Sequence, residues 1–322
     1  MERGVEVGNT PGQTGPPERP RAAQRISMAP HHRRRRLVAL LSLGGAVLVA
    51  VALVLLVGGT DARRAKDQAH RGSATRVRAP GGAHPLSPAA RQAAAENAAI
   101  NRTLAYTPYV RIAGAQHREI ALTFDDGPGP YTPEVLSVLE RERVPATFFE
   151  VGVLERYFYA STRRIVADHD VIGDHTELHA PMSKLPAAQQ RAQLLEQVAA
   201  VRRYGASFPR LFRPPYGLWN ATTLALLHRY RMLMVLWTVD TNDYLRPGVP
   251  AIVNAAVDGA RPGAIILLHD AGGDRSETVA ALPRIIARLR HEGYKLVTVP
   301  RLLLDNPPPR VQNIAAVLGA GG

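Results

Sequence analysis

Ile120-Ala121-Leu122-Thr123-Phe124-Asp125-Asp126-Gly127-Pro128 is an apolar run that ends in two adjacent carboxylates and is then turned by a Gly-Pro pair. The run has the length and composition of a buried strand. Its end is chemically awkward, because neighbouring like charges repel unless a cation or a shared proton stands beside them. Asp, Gly and Pro are also ordinary turn residues, so a solvated strand-to-turn junction is the competing reading. The rest of the chain decides between the two.

Downstream, apolar strand-like runs recur at 146–151, 170–173, 210–213, 232–239, 264–269 and 295–299, after the first at 119–124. Helical patterns lie between most of them, at 133–143, 186–204, 218–229, 250–260 and 277–292. The longest carries Leu194, Leu195, Val198 and Val201 at helical spacing. Strand and helix alternating in this way predict parallel strands with helices outside, as an open sheet or a barrel. No Gly-x-Gly-x-x-Gly or Walker-type loop follows the first strand, so a nucleotide site has no support. The chain has no cysteine, which excludes disulfides, thiolate metal sites and a cysteine nucleophile.

Upstream, the composition changes. The net charge of +13 is concentrated before residue 86, where 14 Lys and Arg stand against 5 Asp and Glu. Residues 1–36 read as a disordered basic tail that ends in Arg33-Arg34-Arg35-Arg36. Residues 37–57 carry no charge and, as a helix, would span roughly 30 Å. Arginines before the span predict a single-pass signal anchor with the remainder of the chain outside the cell membrane. A cleaved signal peptide and a buried core helix are the alternatives. Residues 58–110 read as a linker or stalk, with an Ala-rich helix at 88–102. The catalytic domain is expected at 111–305 and a tail at 306–322. The basic charge suits a membrane surface or an anionic polymer, with no call for nucleic acid.

In parallel α/β folds, functional side chains gather where strands end. The first run ends in Asp125-Asp126. The third runs into His175-Thr176-Glu177-Leu178-His179, the fourth into Arg213-Pro214-Pro215-Tyr216-Gly217, the fifth into Asp240-Thr241-Asn242-Asp243-Tyr244, and the sixth ends in His269-Asp270. His175 and His179, four apart on a helical turn, would share one face and could bite one ion. Among 11 histidines, two unrelated ones at that spacing are not rare. With Asp126 the set becomes two His and one Asp, which leaves positions open for water and substrate. Zinc suits these ligands, as do cobalt and other divalent ions. Asp125 is then free to accept a proton, and His269 could supply one from the opposite side. Arg213 could orient Asp125 and Asp243 could hold His269 charged, with surface salt bridges as the bland alternative. The Tyr216 backbone amide could serve as an oxyanion donor.

Thr-Phe-Asp-Asp-Gly-Pro, His-Thr-x-x-His, Arg-Pro-Pro-Tyr-Gly, Asp-x-x-Asp-aromatic and Leu-Leu-His, in this order over roughly 112–304, resemble the polysaccharide deacetylases of carbohydrate esterase family four. The resemblance implies a distorted (β/α)7 barrel and a metal-dependent hydrolase that removes acetyl groups from polysaccharides. It implies Asp125 as general base, Asp126, His175 and His179 as metal ligands, and His269 as general acid, with Arg213 and Asp243 as their partners. It also implies that the aromatic of the fourth motif and Leu267 line the acetyl pocket. Here the family's usual Trp is Tyr244. Peptidoglycan is the expected substrate, because an anchor would hold the domain near the wall. Chitin oligomers and acetylxylan are alternatives, and a catalytically inactive glycan-binding domain on a membrane stalk is the reading from another class. Oligomeric state is left open.

Overall fold

The computed structural model describes residues 86–313. The expected tail 1–36 and anchor 37–57 lie outside the described residues, as do nearly all of the linker before Leu86 and positions 314–322. Among the described residues no helix is long and apolar enough to cross a membrane.

Nine strands among the described residues form one parallel sheet. They are β1 (Tyr109–Val110), β2 (Glu119–Asp125), β3 (Thr147–Glu150), β4 (Val171–Asp174), β5 (Leu211–Phe212), β6 (Leu233–Val235), β7 (Val239–Asp240), β8 (Ile265–His269) and β9 (Lys295–Leu296). The pairing order is β1-β6-β5-β4-β3-β2-β8-β7, with β9 on the start of β2. The helices are α1 (Pro88–Leu104), α2 (Thr132–Glu142), α3 (Glu155–Ala167), α4 (Ala187–Arg202), α5 (Ala221–Tyr230), α6 (Val249–Asp258), α7 (Ser276–His291) and α8 (Val299–Asp305).

The sequence suggests a single strand over 232–239, but the structure splits it into β6 and β7. The two halves stand near opposite ends of the pairing order although only residues 236–238 separate them. A link that short spans little more than 10 Å, so the sheet must curl back on itself. The result is a curled parallel half-barrel whose gap is bridged by the covalent chain, where the resemblance implies a distorted (β/α)7 barrel. The break has a use: it frees the carbonyls of Val235 and Leu236, which accept hydrogen bonds from Arg213 at 3.0 and 3.2 Å.

Side-chain alternation along the strands separates two cores. Ala121, Phe149, Leu211, Leu233, Val235 and Ile265 face inward. Leu122, Phe124, Phe148, Ile266 and Leu268 face the outer helices α2, α6 and α7. The interior is closed at one end by α1 and α8, which bring Ile100, Val299, Leu302 and Leu303 into the inner cluster. Residues 88–104, read from sequence as part of the stalk segment, thus contribute to the folded body. Their helix starts at Ser87, whose hydroxyl accepts from Ala90 N, with Pro88 in the first turn. Beyond α8 the chain is tied back by Gln312, whose amide bonds the backbone of Arg111 and Ile112 at 3.0–3.2 Å.

The strand register sets the opposite mouth. Asp125 pairs with Phe149 on one side and His269 on the other. Thr123, Asp125, Leu267 and His269 therefore share the inner face at the carboxyl ends of adjacent strands.

Candidate active site

Asp125 is 3% exposed, and its carboxylate is held by a side chain buried even more deeply. Arg213 follows β5, is fully buried, and donates from Nη1 to Asp125 Oδ1 at 2.7 Å and to Thr123 Oγ1 at 2.8 Å. Its remaining donors go to the Val235 and Leu236 carbonyls, and its guanidinium lies 4.1 Å over the Phe149 ring. Burial pushes the arginine below its ordinary value, and the charge of Asp125 opposes that shift. A buried guanidinium is costly unless its donors are met, and here Asp125, Thr123 and the two carbonyls of the split strand take four of its five N–H groups. Gly173 keeps room for this arrangement, since a Cβ there would come within 2.5 Å of the Phe149 ring.

Asp126 leaves the strand with φ 72°. A Cβ at Gly272, itself at φ 75°, would collide with the Asp126 carboxylate, so the loop after β8 needs glycine there. Asp126 Oδ1 lies 3.0 Å from His179 Nε2 and 3.6 Å from His175 Nε2. Burial pushes the Asp126 carboxyl up, and the two neighbouring imidazoles more than reverse the effect, leaving it below the ordinary carboxylate range.

The two histidines do not sit on a helical turn, as their spacing suggested. Residues 175–180 form an irregular loop in which Thr176 and His179 take left-handed φ values of 69° and 53°. The loop is fixed by local bonds: Thr176 N donates to Asp174 Oδ1, Leu178 N to Gln193 Oε1 and Ala180 N to Thr176 Oγ1. It still brings the imidazoles to a centroid separation of 5.0 Å. His175 Nδ1 lies 2.7 Å from the Arg213 carbonyl. A carbonyl only accepts, so Nδ1 carries the proton and Nε2 is left to face Asp126. His179 is oriented from the far side by the Tyr216 hydroxyl, 3.1 Å from Nδ1.

One carboxylate oxygen and two imidazole nitrogens thus lie within 4.8 Å of one another. Donor atoms each about 2.1 Å from a single ion lie no more than about 4.2 Å apart, and the 3.0 and 3.6 Å from Asp126 Oδ1 to the two imidazoles fall inside that limit. The nitrogen and oxygen donors, with a tautomer already fixed by a carbonyl, fit a divalent metal.

Across the mouth, His269 Nδ1 donates to Asp243 Oδ1 at 2.7 Å, and the His269 backbone N donates to Oδ2 at 2.8 Å. Thr278, in the first turn of α7, donates to the same Oδ2 at 2.8 Å. Burial alone would lower His269, but Asp243 dominates, with Asp125 and Asp126 adding to it, and the imidazole is pushed up to about 9. Asp243, pushed up by burial, is in turn held below its ordinary value by His269. Tyr244 packs edge-on against His269, with ring centroids 5.4 Å apart, and is 42% exposed, so its hydroxyl escapes the burial that a deeper pocket would impose. Leu267 is buried on the inner face, two residues before His269. Tyr216, at φ 59° in a short turn, exposes its ring at the rim.

All ten residues singled out from the sequence therefore gather at one mouth. The sequence reading missed Thr123, Phe149, Thr278 and Gly272. Thr123 was within reach, because strand alternation places it on the same face as Asp125. The other three depend on register and loop conformation.

A polysaccharide deacetylase family model matches residues 113–235. A chitooligosaccharide deacetylase of Bradyrhizobium sp. (strain ANU 289) is 38% identical over 198 residues, which cover 58% of this chain and 90% of the relative. The chain belongs to the polysaccharide deacetylase family. A peptidoglycan-N-acetylglucosamine deacetylase of Bacillus cereus is also 38% identical, over 187 residues, 57% of this chain and 87% of that protein. The crystal structure of the Bc1960 peptidoglycan N-acetylglucosamine deacetylase superimposes with a TM-score of 0.60 at 31% identity, covering 64% of this chain and 95% of that one. This chain is accordingly a deacetylase of carbohydrate esterase family four, and acetylated glycans are its substrate class.

Proposed function

We propose that this deacetylase acts on the N-acetylglucosamine residues of peptidoglycan, releasing acetate and leaving a free amine on the sugar. The observation that carries the chemistry is the convergence, at one mouth, of the Asp126, His175 and His179 donor set with two oppositely equipped pairs, Asp125–Arg213 and Asp243–His269. Asp126, His175 and His179 would hold a divalent cation, zinc foremost, which would supply Lewis-acid chemistry at the mouth. Asp125 accepts the proton of the attacking water. Arg213 fixes Oδ1, leaving Oδ2 on the side of His175, 3.8 Å from its Nε2. The Tyr216 backbone N–H donates to the developing oxyanion. His269, kept protonated by Asp243, gives its proton to the departing nitrogen as the C–N bond breaks. Tyr244 and Leu267 flank the acetyl methyl.

The preference for peptidoglycan rests on two supports. The similar proteins include peptidoglycan N-acetylglucosamine deacetylases, and residues 37–57 would tether the domain on the outer side of the cell membrane, close to the wall. A second reading, deacetylation of chitin oligomers, is favoured by the chitooligosaccharide deacetylases among the relatives. The purified full-length chain, supplied with zinc or cobalt, tests both through acetate release from peptidoglycan, chitin oligomers and acetylxylan. Release from peptidoglycan at the highest kcat/KM supports the first reading. A preference for chitin oligomers transfers the conclusion to the second. Glycan binding without acetate release from any of the three would make the chain a glycan-binding protein.

A further inference from the structure

Helix α3 exposes aromatic rings that the chemistry above does not use, and Tyr204, half-buried in the turn after α4, packs against one of them. Helix α3 leaves helical geometry at Phe158, with φ −121° and ψ 22°, and the tyrosines on both sides stand in solvent. Tyr157 is 68% exposed and Tyr159 44% exposed, so neither ring serves the core. Tyr159 stacks on Tyr204 with centroids 5.3 Å apart and planes 22° from parallel. The Arg163 guanidinium lies 5.3 Å from the first ring and 5.8 Å from the second, and that of Arg156 lies 5.8 Å from Tyr157. Arg156, Arg163 and Arg203 are exposed and enter no ion pair among the described residues. The acidic groups facing them are Glu177 and Glu196; Arg156 and Arg203 act on Glu177 from either side.

This surface is continuous with the active-site loop. Gly152 N donates to the Thr176 carbonyl at 3.1 Å and Val153 N to the Glu177 carbonyl at 2.9 Å. The segment that launches α3 is therefore bonded to the segment between His175 and His179. Tyr157 stands four residues beyond Val153, in the first turn of the helix that this segment starts.

An exposed ring suits one face of a sugar, whose C–H bonds pack on an aromatic plane while its hydroxyls reach polar groups at the edge. A cluster of such rings on a soluble surface marks an interaction site more often than chance exposure does. Unpaired arginines add attraction for carboxylates. Peptidoglycan strands carry both features: sugar rings in sequence, and carboxylates on the peptide branches. We infer that the Tyr157, Tyr159–Tyr204 and Arg156, Arg163 surface holds a further stretch of the glycan strand whose acetamido group enters the mouth, and that it favours strands bearing carboxylates. The inference rests on the reading of the substrate as wall glycan.

The test uses the full-length chain, Tyr157→Ala, and the double variant Arg156→Gln with Arg163→Gln. Kinetics on soluble peptidoglycan strands are compared with kinetics on an uncharged N-acetylglucosamine trimer, which is too short to leave the mouth. Each variant is expected to raise KM for the strands about fivefold, equivalent to a lost contact of about 1 kcal/mol, with kcat and the trimer kinetics unchanged. The effect of the arginine variant should fade at high salt, and that of Tyr157→Ala should not. Tyr157→Trp should restore the strand KM. Unchanged strand kinetics in both variants, or an equal loss on the trimer, would overturn the proposal. Co-sedimentation with insoluble peptidoglycan reads the surface without turnover. If acetate release fails but the wild type pellets and the variants pellet less, the surface stands and the substrate reading falls. If the wild type stays in solution, or the variants pellet equally, the surface reading falls.

Discussion

Two sets of buried acids lie at the carboxyl ends of the sheet, on different strands, and they are treated in opposite ways. On the inner face Asp125 and Asp243 each have a cationic partner, Arg213 and His269. On the outer face Glu150, Asp174 and Asp270 end β3, β4 and β8 without one. Glu150 and Asp174 are pushed well up by burial, and Asp270 is pushed up to about 7 by the same cause. Glu150 faces Glu155, which raises it further. Asp270 receives a bond from Thr132 on Oδ2, while Oδ1 has no partner. Burial alone is therefore a poor mark of a catalytic acid in this fold. What distinguishes the inner set is that its charge is stabilised, as a base or the support of a protonated acid requires. The outer set is pushed toward the protonated form by burial, and the bonds it receives from Thr176 and Thr132 do not offset that push.

The sharpest way to break this contrast is to neutralise one acid from each set. Asp125→Asn is expected to lower kcat/KM by about 10³–10⁴-fold while the chain still binds its metal stoichiometrically. Glu150→Gln, equally buried, should stay within a few-fold of wild type. Asp126→Asn should also abolish turnover, but through lost metal. Metal analysis beside acetate release separates the cases, and identical behaviour of the Asp125 and Asp126 variants would sink the assignment.

Next in size is the removal of a partner. Arg213→Met leaves Asp125 buried with no countercharge, and breaking a buried pair from one side costs about 3–5 kcal/mol of stability. Urea denaturation should show this as a lower midpoint. The double variant with Asp125→Asn should recover part of the loss, because no uncompensated charge remains. No recovery would mean that Arg213 acts mainly through its bonds to Thr123, Val235 and Leu236.

The contrast also marks where sequence reading stops. Strand-helix alternation and the ionisable residues at strand ends were legible, because period-two and period-3.6 patterns and abrupt polarity changes are local. Pairing of Asp125 with Arg213 could be suspected from charge, but 88 residues separate them and only the register brings them together. The break between β6 and β7 was invisible, since 232–239 is apolar throughout apart from Thr238 and only the needs of Arg213 explain it. The left-handed turns at Thr176 and His179 were equally hidden, because neither residue type announces a positive φ. The aromatic patch went unread because Tyr157 on α3 and Tyr204 in the turn after α4 lie 47 residues apart.

A smaller effect is expected at Asp243, and pH exposes it. His269 must carry a proton to act as the acid. With its value pushed up to about 9, activity should hold below that pH and fall about tenfold per unit above it. Asp243→Asn removes the dominant cause and leaves burial, which favours the neutral ring. The alkaline limb should move to lower pH, and kcat at neutral pH should fall by tens of fold. A limb that stays near 9 in the variant would assign it to another group.

The smallest effect on turnover belongs to Asp270, where the outer set can be sharpened without touching the chemistry. Asp270→Asn keeps the shape and the acceptor for the Thr132 hydroxyl. Acetate release should therefore stay within about twofold, far below the losses that follow removal of a general acid or base. Its signature lies in stability against pH. The folded carboxyl titrates near 7 and the unfolded one near the ordinary carboxylate value of about 3.9. Between those values the unfolded chain has released this proton and the folded chain still holds it. Stability contributed by the protonated acid is complete below the unfolded value and is lost as pH rises through the folded one. The wild type should thus lose stability between roughly pH 4 and 7, by at most about 1.4 kcal/mol per unit. Asn cannot titrate, so the variant's profile should be flatter over that window and its advantage greatest at pH 7 and above. Parallel profiles of wild type and variant would mean that Asp270 is ionised in the fold, and the contrast between the two faces of the strand ends would then narrow to Glu150 and Asp174.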